Sequence, residues 1–318
     1  MARRQRLDLH LLEQGLAASR QQAQQLIRAG RVRSGERILD KPGTEVPPDL
    51  PLTVEQPPRF VSRGGEKLLA ALEGLPIRVQ GRVCLDGGIS TGGFTDCLLQ
   101  HGAERVYGID VGYGQTAWSL RTDPRVRLLE RTNLRHLTPE QLYGPEDPRP
   151  DLAVADVSFI SLTRVLPALK ALLRSDGPEA VLLVKPQFEV GRGRVGKGGV
   201  VRDPAAHRDA IAGVIAAAAA LGWQPHGLVG SPITGPAGNH EYLLWLREPG
   251  APGAAAITTA PMDGDSNDGA TVNSPTIGST AMDSAAITTA TIDRAAIDSA
   301  GIDSSVIAAV VAQTLGPG

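Results

Sequence analysis

The chain has 318 residues, with 32 Lys+Arg against 34 Asp+Glu and a formal net charge of −2. A hydrophobic content of 42% with 21% charged residues excludes a wholly disordered chain, and two cysteines, Cys84 and Cys97, exclude a disulfide framework. No apolar run reaches the ~20 residues that a bilayer helix needs, no Cys/His cluster has metal-ligand spacing, and Asp8, His10 and Glu13 break the start too often for a leader peptide. A cytoplasmic protein without a metal is expected.

The near-neutral charge is an average over unlike parts. Residues 1–41 hold nine bases and four acids, and the first 247 residues carry +5. Residues 248–318 hold eight acids and one base, Arg294, and lack aromatic residues. Three regions follow: 1–58, 59–247 and 248–318.

The first region reads as two helices and short strands, a small α+β domain. Leu7, Leu9, Leu11, Leu12 and Leu16 form an apolar face closed by Gly15. Ser19 caps a second helix over 19–29, with Ala23, Leu26 and Ile27 inward and Gly30 at its end. Its other face carries Arg20, Gln21, Gln24, Gln25 and Arg28, followed by Arg31 and Arg33. With Arg4 and Arg6, these long cations suit phosphate contacts that position without reading sequence, and the charge pattern alone equally suits an ordinary solvated face. Pro47, Pro48, Pro51, Pro57 and Pro58 stiffen the exit.

From Arg82 onward, apolar runs of strand length alternate with helical patterns. Strands are predicted at 82–86, 105–110, 125–129, 152–156, 180–185, 227–230 and 242–246, and helices at 93–101, 115–122, 162–173 and 204–221. Such alternation predicts a doubly wound, Rossmann-like, mostly parallel α/β sheet with ligands at the carboxyl ends of its strands. The first strand ends in D-G-G-I-S-T-G-G-F-T-D, whose Asp86, Gly88, Ser90 and Gly92 make a small-residue turn into a helix; Phe94 follows in the same run. This is not the G-x-G-x-x-G of dinucleotide sites. An acid followed by such a turn suits S-adenosylmethionine, a cationic ligand, and Asp110, 24 residues on, is placed to accept its ribose hydroxyls. Gly191, Gly193, Gly196 and Lys197 imitate phosphate-binding loops, but Gly198 stands where Ser or Thr must hold magnesium. Residues 190–200 read either as a mobile loop near the site offering Arg192, Arg194 and Lys197 to phosphates or as a merely solvated loop.

Lys67, Asp156, Lys185 and Glu241 stand apart from packing. Asp156 and Lys185 end apolar strands, Glu241 precedes one, and Lys67 lies on the helix leading into the first strand. Such a lysine–acid–lysine–acid set suits activation of a poorly acidic hydroxyl, one lysine serving as a neutral base while the carboxylates orient both.

In residues 248–318, ten apolar residues from Ile257 to Ile307 recur every five positions, interrupted at Asn267. That period keeps no single face on an α-helix. A disordered, low-complexity acidic extension is expected rather than a small β-helix, and its removal is expected to leave activity intact.

Two resemblances sharpen this reading. R-L-D-x-x-L-x-x-x-G-L-A-x-S-R through R-A-G-R-V, from Arg6 to Val32, resembles the S-four RNA-binding domain. V-S-R-G-G-E-K-L (with Arg63), the Asp86 turn, G-I-D-V-G-Y-G-Q, A-D-V-S-F-I-S-L, V-K-P-Q-F-E-V-G, G-K-G-G-V-V-R-D-P and G-N-H-E-Y resemble the TlyA family of RNA ribose 2′-O-methyltransferases, with their FtsJ-like catalytic domain. The resemblance implies a methyltransferase dependent on S-adenosylmethionine and acting on cytidine riboses of ribosomal RNA or ribosomal subunits. It further implies that Lys67, Asp156, Lys185 and Glu241 form the family's catalytic set with Lys185 as base. Asn133, in Glu130-x-x-Asn133, is then expected near the adenine, and Arg63 is expected to meet RNA. Gly87 and Ile89 depart from the family's usual D-V/I-G-A-S. Nothing in this reading requires more than a monomer. The competing readings are a non-catalytic RNA-binding or ribosome-assembly factor, a base methyltransferase, and the membrane-active hemolysin whose label the family carries. The complete polar set opposes the first. The lack of an N/D-P-P-Y/F turn or a suitably placed cysteine opposes the second, and the lack of a membrane segment opposes the third.

Overall fold

The computed structural model describes residues 4–55, 58–249 and 302–316. It divides into two units, Met1–Arg59 and Phe60–Gly318. In the first, strand β1 (Gln5–Arg6) leads into α1 (Leu7–Glu13) and α2 (Arg20–Arg28), followed by β2 (Val32–Ser34), β3 (Arg37–Ile38), β4 (Glu45–Val46) and β5 (Thr53–Val54). Ser19 caps α2, its Oγ accepting from the Gln22 N–H at 3.2 Å. Leu7, Leu11, Ala23, Ile27, Val32 and Val46 close a small core between the helix pair and the strands.

The second unit runs α3 (Gly64–Gly74), β6 (Val83–Gly87), α4 (Gly93–Gln100), β7 (Arg105–Ile109), α5 (Trp118–Arg121), β8 (Val126–Leu129), α6 (Pro139–Leu142), β9 (Leu152–Ala155), α7 (Leu166–Leu172), β10 (Glu179–Val184), α8 (Pro186–Glu189), α9 (Pro204–Ala219), β11 (Gln224–Gly230), β12 (Tyr242–Arg247) and α10 (Ser304–Leu315). All seven predicted strands join one sheet in the order β11-β12-β10-β9-β6-β7-β8, parallel from β10 to β8, with β12 antiparallel to both its neighbours. This is a doubly wound order with an extra antiparallel strand inserted near one end. Its reversal lies between β6 and β9, where a ligand crevice opens at the strands' carboxyl ends.

β10 is buried along its whole length because both its faces are covered. Leu182 and Val184 pack on the side of α7 and α9, while Val181 and Leu183 pack on the side of α3 and α4. The helix predicted at 115–122 shortens to α5. Thr116 Oγ1 instead donates to Ser90 O at 3.0 Å and the Ala117 N–H to Thr91 O at 3.1 Å, so these residues brace the turn after β6.

The expectation of a disordered 248–318 region fails at its end. Asp303 caps α10 by accepting from the Ser305 and Val306 N–H groups at 2.7 and 3.0 Å. Ile302 and Ile307, the last two pentad positions, are buried with Val310 and Val311 in the main core, against α9 and β11. Past Ile302 the apolar residues follow helical rather than fivefold spacing, which supplies the single buried face that the repeat lacks. The remaining pentads, 250–301, lie outside the described residues. Truncation after residue 301 is expected to uncover this face and lower the melting temperature by several degrees, at about 2–4 °C per kcal/mol; an unchanged melting curve would refute the docking.

Candidate active site

The turn after β6 is built by exclusion of side chains. A Cβ on Gly88 (φ +86°) would sit 2.7 Å from Asp156 O, and one on Gly92 (φ +101°) would sit 2.2 Å from Leu120 Cδ1. Ser90 is itself held at φ +49°. Its N–H donates to Asp110 Oδ2 at 2.7 Å, and the Gly112 N–H donates to Asp110 Oδ1 at 2.6 Å, so Asp110 fixes the turn from the neighbouring strand end. Each carboxylate oxygen keeps a second lone pair for a ligand hydroxyl.

Asp86 is fully buried behind the turn. Its Oδ2 accepts from Thr95 Oγ1 at 2.7 Å, while Oδ1 has no hydrogen-bond partner. Burial pushes its pKa up to about 7 against the Thr95 hydrogen bond, and the charges of Asp156 and Asp110 add to the rise. Three carboxyl groups thus surround a turn that contains no basic residue. That donor set fits a cationic ligand such as S-adenosylmethionine and does not fit a phosphate.

The four polar residues singled out in the sequence come together as two ion pairs. Lys67 on α3 donates to Glu241 Oε2 at 2.5 Å, and these groups are 8% and 1% exposed. Glu241 precedes β12, and a Cβ on Gly235 would lie 2.6 Å from its Oε1. Asp156 follows β9 and Lys185 follows β10, adjacent parallel strands, so their side chains meet with Nζ 2.5 Å from Asp156 Oδ1. Lys185 Nζ also donates to Ser158 Oγ at 2.7 Å.

Lys67 and Asp156 line a cavity of about 210 Å³ shared with Arg63, Gly88, Ser90 and Phe94. Lys185 and Glu241 stand behind their partners. Asp86, Gly92 and Asp110 shape the turn without lining this cavity. Asn133 is exposed and caps a 3-10 turn, its Oδ1 accepting from the Arg135 N–H at 3.1 Å. Glu130 accepts from the Gly114 N–H at 2.7 Å and from Arg121.

Three further residues link the segments that carry Asp156 and Lys185. Besides Ser158, Phe159 is 92% exposed at φ +64°, 5.3 Å in ring centroid from Phe188. Glu189 accepts from Ser161 Oγ at 2.6 Å and the Leu162 N–H at 2.8 Å, tying the loop after Asp156 to the helix after Lys185. All three stand inside recognised motifs, but the contacts of Ser158, Phe159 and Glu189 span 27 to 29 residues and leave no local pattern.

The head arginines divide into fasteners and open groups. Arg6 and Arg20 each lie 3.0 Å from the buried Asp8, whose carboxyl the Arg6 guanidinium holds well below the usual carboxylate range. Arg20 thereby fastens α2 to α1, while Arg6 holds Asp8 from the end of β1. Arg4 donates to Glu45 O at 2.9 Å, Arg31 lies 3.9 Å from Glu55, Arg33 is half-buried on β2, and Arg28 is exposed. Arg63 belongs to the second unit and its cavity. In the 190–200 loop, Arg194 pairs with Asp203 at 2.9 Å and Asp209 at 2.5 Å, whereas Arg192 and Lys197 are exposed.

Comparison with known proteins adds an independent line. A model of FtsJ-like methyltransferases matches residues 60–248, and one of the S4 domain matches residues 5–50. The 16S/23S rRNA (cytidine-2′-O)-methyltransferase TlyA of Mycobacterium tuberculosis is 55% identical over 249 residues, 78% of this chain and 91% of that protein. Hemolysin A of Brachyspira hyodysenteriae is 40% identical over 239 residues, 75% of this chain and 98% of its own length. The solved structure of a Streptococcus thermophilus protein described as a hemolysin superposes with a TM-score of 0.58 at 41% identity, covering 79% of this chain and 91% of that one.

Proposed function

Because the chain belongs to the TlyA family of FtsJ-like methyltransferases, with an S4 domain ahead of the catalytic one, we propose that it methylates the ribose 2′-oxygen of a cytidine in ribosomal RNA, in the cytoplasm. The observation that carries this reading is the convergence of the Lys67–Glu241 and Lys185–Asp156 pairs on one cavity beside the Gly88–Ser90 turn. When bound, S-adenosylmethionine supplies an activated methyl group, so the chain's own task is to position the ribose and remove one proton.

We assign that proton to Lys185, whose Nζ lies 2.5 Å from the cavity-lining Asp156. A neutral lysine has two N–H donors and one lone pair. Ser158 accepts one donor and the Asp156 carboxylate lies 2.5 Å from Nζ, so both anchor the amine while its lone pair takes the 2′-hydroxyl proton. The proton moves to Nζ, and the resulting ammonium is held beside the Asp156 carboxylate. Lys67 is bound on one side by Glu241 and lines the cavity, so its remaining donors are placed to hold the ribose or an adjacent phosphate oxygen. Asp110 and the turn from Gly88 to Gly92 would hold the cofactor, with the Asp86 carboxyl buried behind them supplying negative charge.

Phe159 extends the site to the base. An exposed aromatic ring in the left-handed region costs about 1–3 kcal/mol of backbone strain and is explained when a nucleobase stacks on it. Phe159→Ala is expected to raise KM for RNA about 5- to 100-fold, the range of one lost stacking contact, with cofactor affinity unchanged. An unaltered KM would remove Phe159 from the site. The reading as a whole is tested by mapping 2′-O-methylation on ribosomal RNA incubated with the protein and labelled cofactor; label absent from RNA, or found on a base, would sink it. The hemolysin names of some relatives bring no second reading, since no helix among the described residues is long and apolar enough to cross a membrane.

A further inference from the structure

A second cavity, of about 590 Å³, lies on the other side of the 231–241 loop from Lys67 and Asp156. The two cavities share that loop as a wall: Ile233, Thr234 and Pro236 face the first, and Ala237, Gly238 and His240 face the second. Arg202 and Arg208, from the end of the 190–203 loop and the first turns of α9, form another wall. α10 closes the third with Val311, Ala312 and Leu315.

The chemistry of this lining is one-sided. Among the described residues no acidic side chain lines it, and neither Arg202 nor Arg208 makes a hydrogen bond or ion pair with any of them. The nearby acids that could neutralise them, Asp203 and Asp209, are taken by Arg194. Two open guanidinium groups and an imidazole facing an apolar helix wall match a nucleotide, with its phosphate on the arginines and its sugar and base on the helix. The size lies within the range of small-ligand sites.

We propose that this cavity receives a nucleotide flanking the one that is methylated, so that the RNA strand straddles the 231–241 loop. The proposal rests on the reading of the protein as an RNA methyltransferase. It assigns a substrate role to α10, which lies beyond the residues matched by the methyltransferase family and beyond those expected to matter for activity. The 231–241 loop is stiff enough for such a role. Asn239 is buried within it, its Oδ1 accepting from the Val201 N–H at 3.0 Å and its Nδ2 donating to Gly199 O at 2.9 Å.

The test uses the full chain, ribosomal subunits lacking the modification, and a labelled single-stranded oligoribonucleotide as binding probe. One variant joins Arg202→Gln with Arg208→Gln; a second, Ala312→Trp, fills the cavity from an exposed helix position without altering charge. Both are expected to raise KM for the subunit about tenfold and leave kcat and cofactor affinity within about twofold. The arginine variant is further expected to flatten the salt dependence of probe binding by about 0.7 per lost phosphate contact. Wild-type KM and salt slope in the arginine variant overturn the proposal. An effect of Ala312→Trp alone overturns it as well, since the occupant would then not be a nucleotide. Failure of the parent reading looks different: the wild-type chain would itself neither methylate subunits nor bind the probe.

Discussion

Lys185→Ala is expected to lower methyl transfer by about 10²–10⁴-fold, the scale of a lost general base, while cofactor affinity measured by calorimetry stays at the wild-type value. The asymmetry between the two ion pairs makes a companion prediction. Asp156 keeps 23% of its side chain in solvent, so losing Lys185 leaves a carboxylate that water can reach. Glu241 is 2% exposed at its side chain, so Lys67→Ala strands a buried charge. Breaking such a pair from one side costs about 3–5 kcal/mol. Lys185→Ala should therefore yield a folded, inactive protein, and Lys67→Ala a visibly destabilised one. Residual activity in Lys185→Ala above a tenth of wild type would move the base elsewhere. Equal melting curves for the two variants would contradict the burial difference on which the argument stands.

Much of this site was legible before the structure because its parts sit at strand ends. A polar residue that closes a run such as L-A-V-A or V-L-L-V must emerge where the sheet opens to ligand, so Asp156 and Lys185 could be placed from the chain alone. Their pairing followed once β9 and β10 were neighbours, which short crossovers favour. Glu241 was harder, since it precedes its strand. It reaches the same end of the sheet because β12 runs antiparallel, a reversal that apolar patterning does not encode. Ser158, Phe159 and Glu189 were out of reach for another reason: their contacts pair loops from different strands. The head showed the opposite difficulty. Charge counting treats every arginine as available, yet Arg6 and Arg20 are occupied by a buried aspartate that the same count treated as surface. The C-terminal helix was hidden by its own repeat, since fivefold spacing obscured the point at which helical spacing begins.

The buried Asp86 links cofactor, pH and stability, and its expected effect is about 4 kcal/mol, from a carboxyl whose pKa rises from 3.8 to about 7 on folding. Between those values the folded chain holds a proton on Asp86 that the unfolded chain has released. Stability is therefore lost as pH climbs from about 4 to 7, and above that the contribution of this group is flat. Asp8 acts in the other direction at acid pH, because its carboxyl is depressed by Arg6. The clean measurement is thus the difference between wild type and Asp86→Asn in denaturant unfolding across pH 4.5–8. Asp86→Asn should gain relative stability steadily up to about pH 7 and then hold it. A cationic ligand favours the ionised carboxylate, so affinity for S-adenosylmethionine should strengthen with pH up to about 7, by at most about tenfold per pH unit. Binding near pH 6 should then release a proton, detectable by calorimetry in buffers of different ionisation enthalpy. Asp86→Asn should remove both the slope and the proton release. A wild-type affinity that is level from pH 5.5 to 8 would show that Asp86 keeps one protonation state throughout, and that its unpartnered oxygen has no part in holding the cofactor.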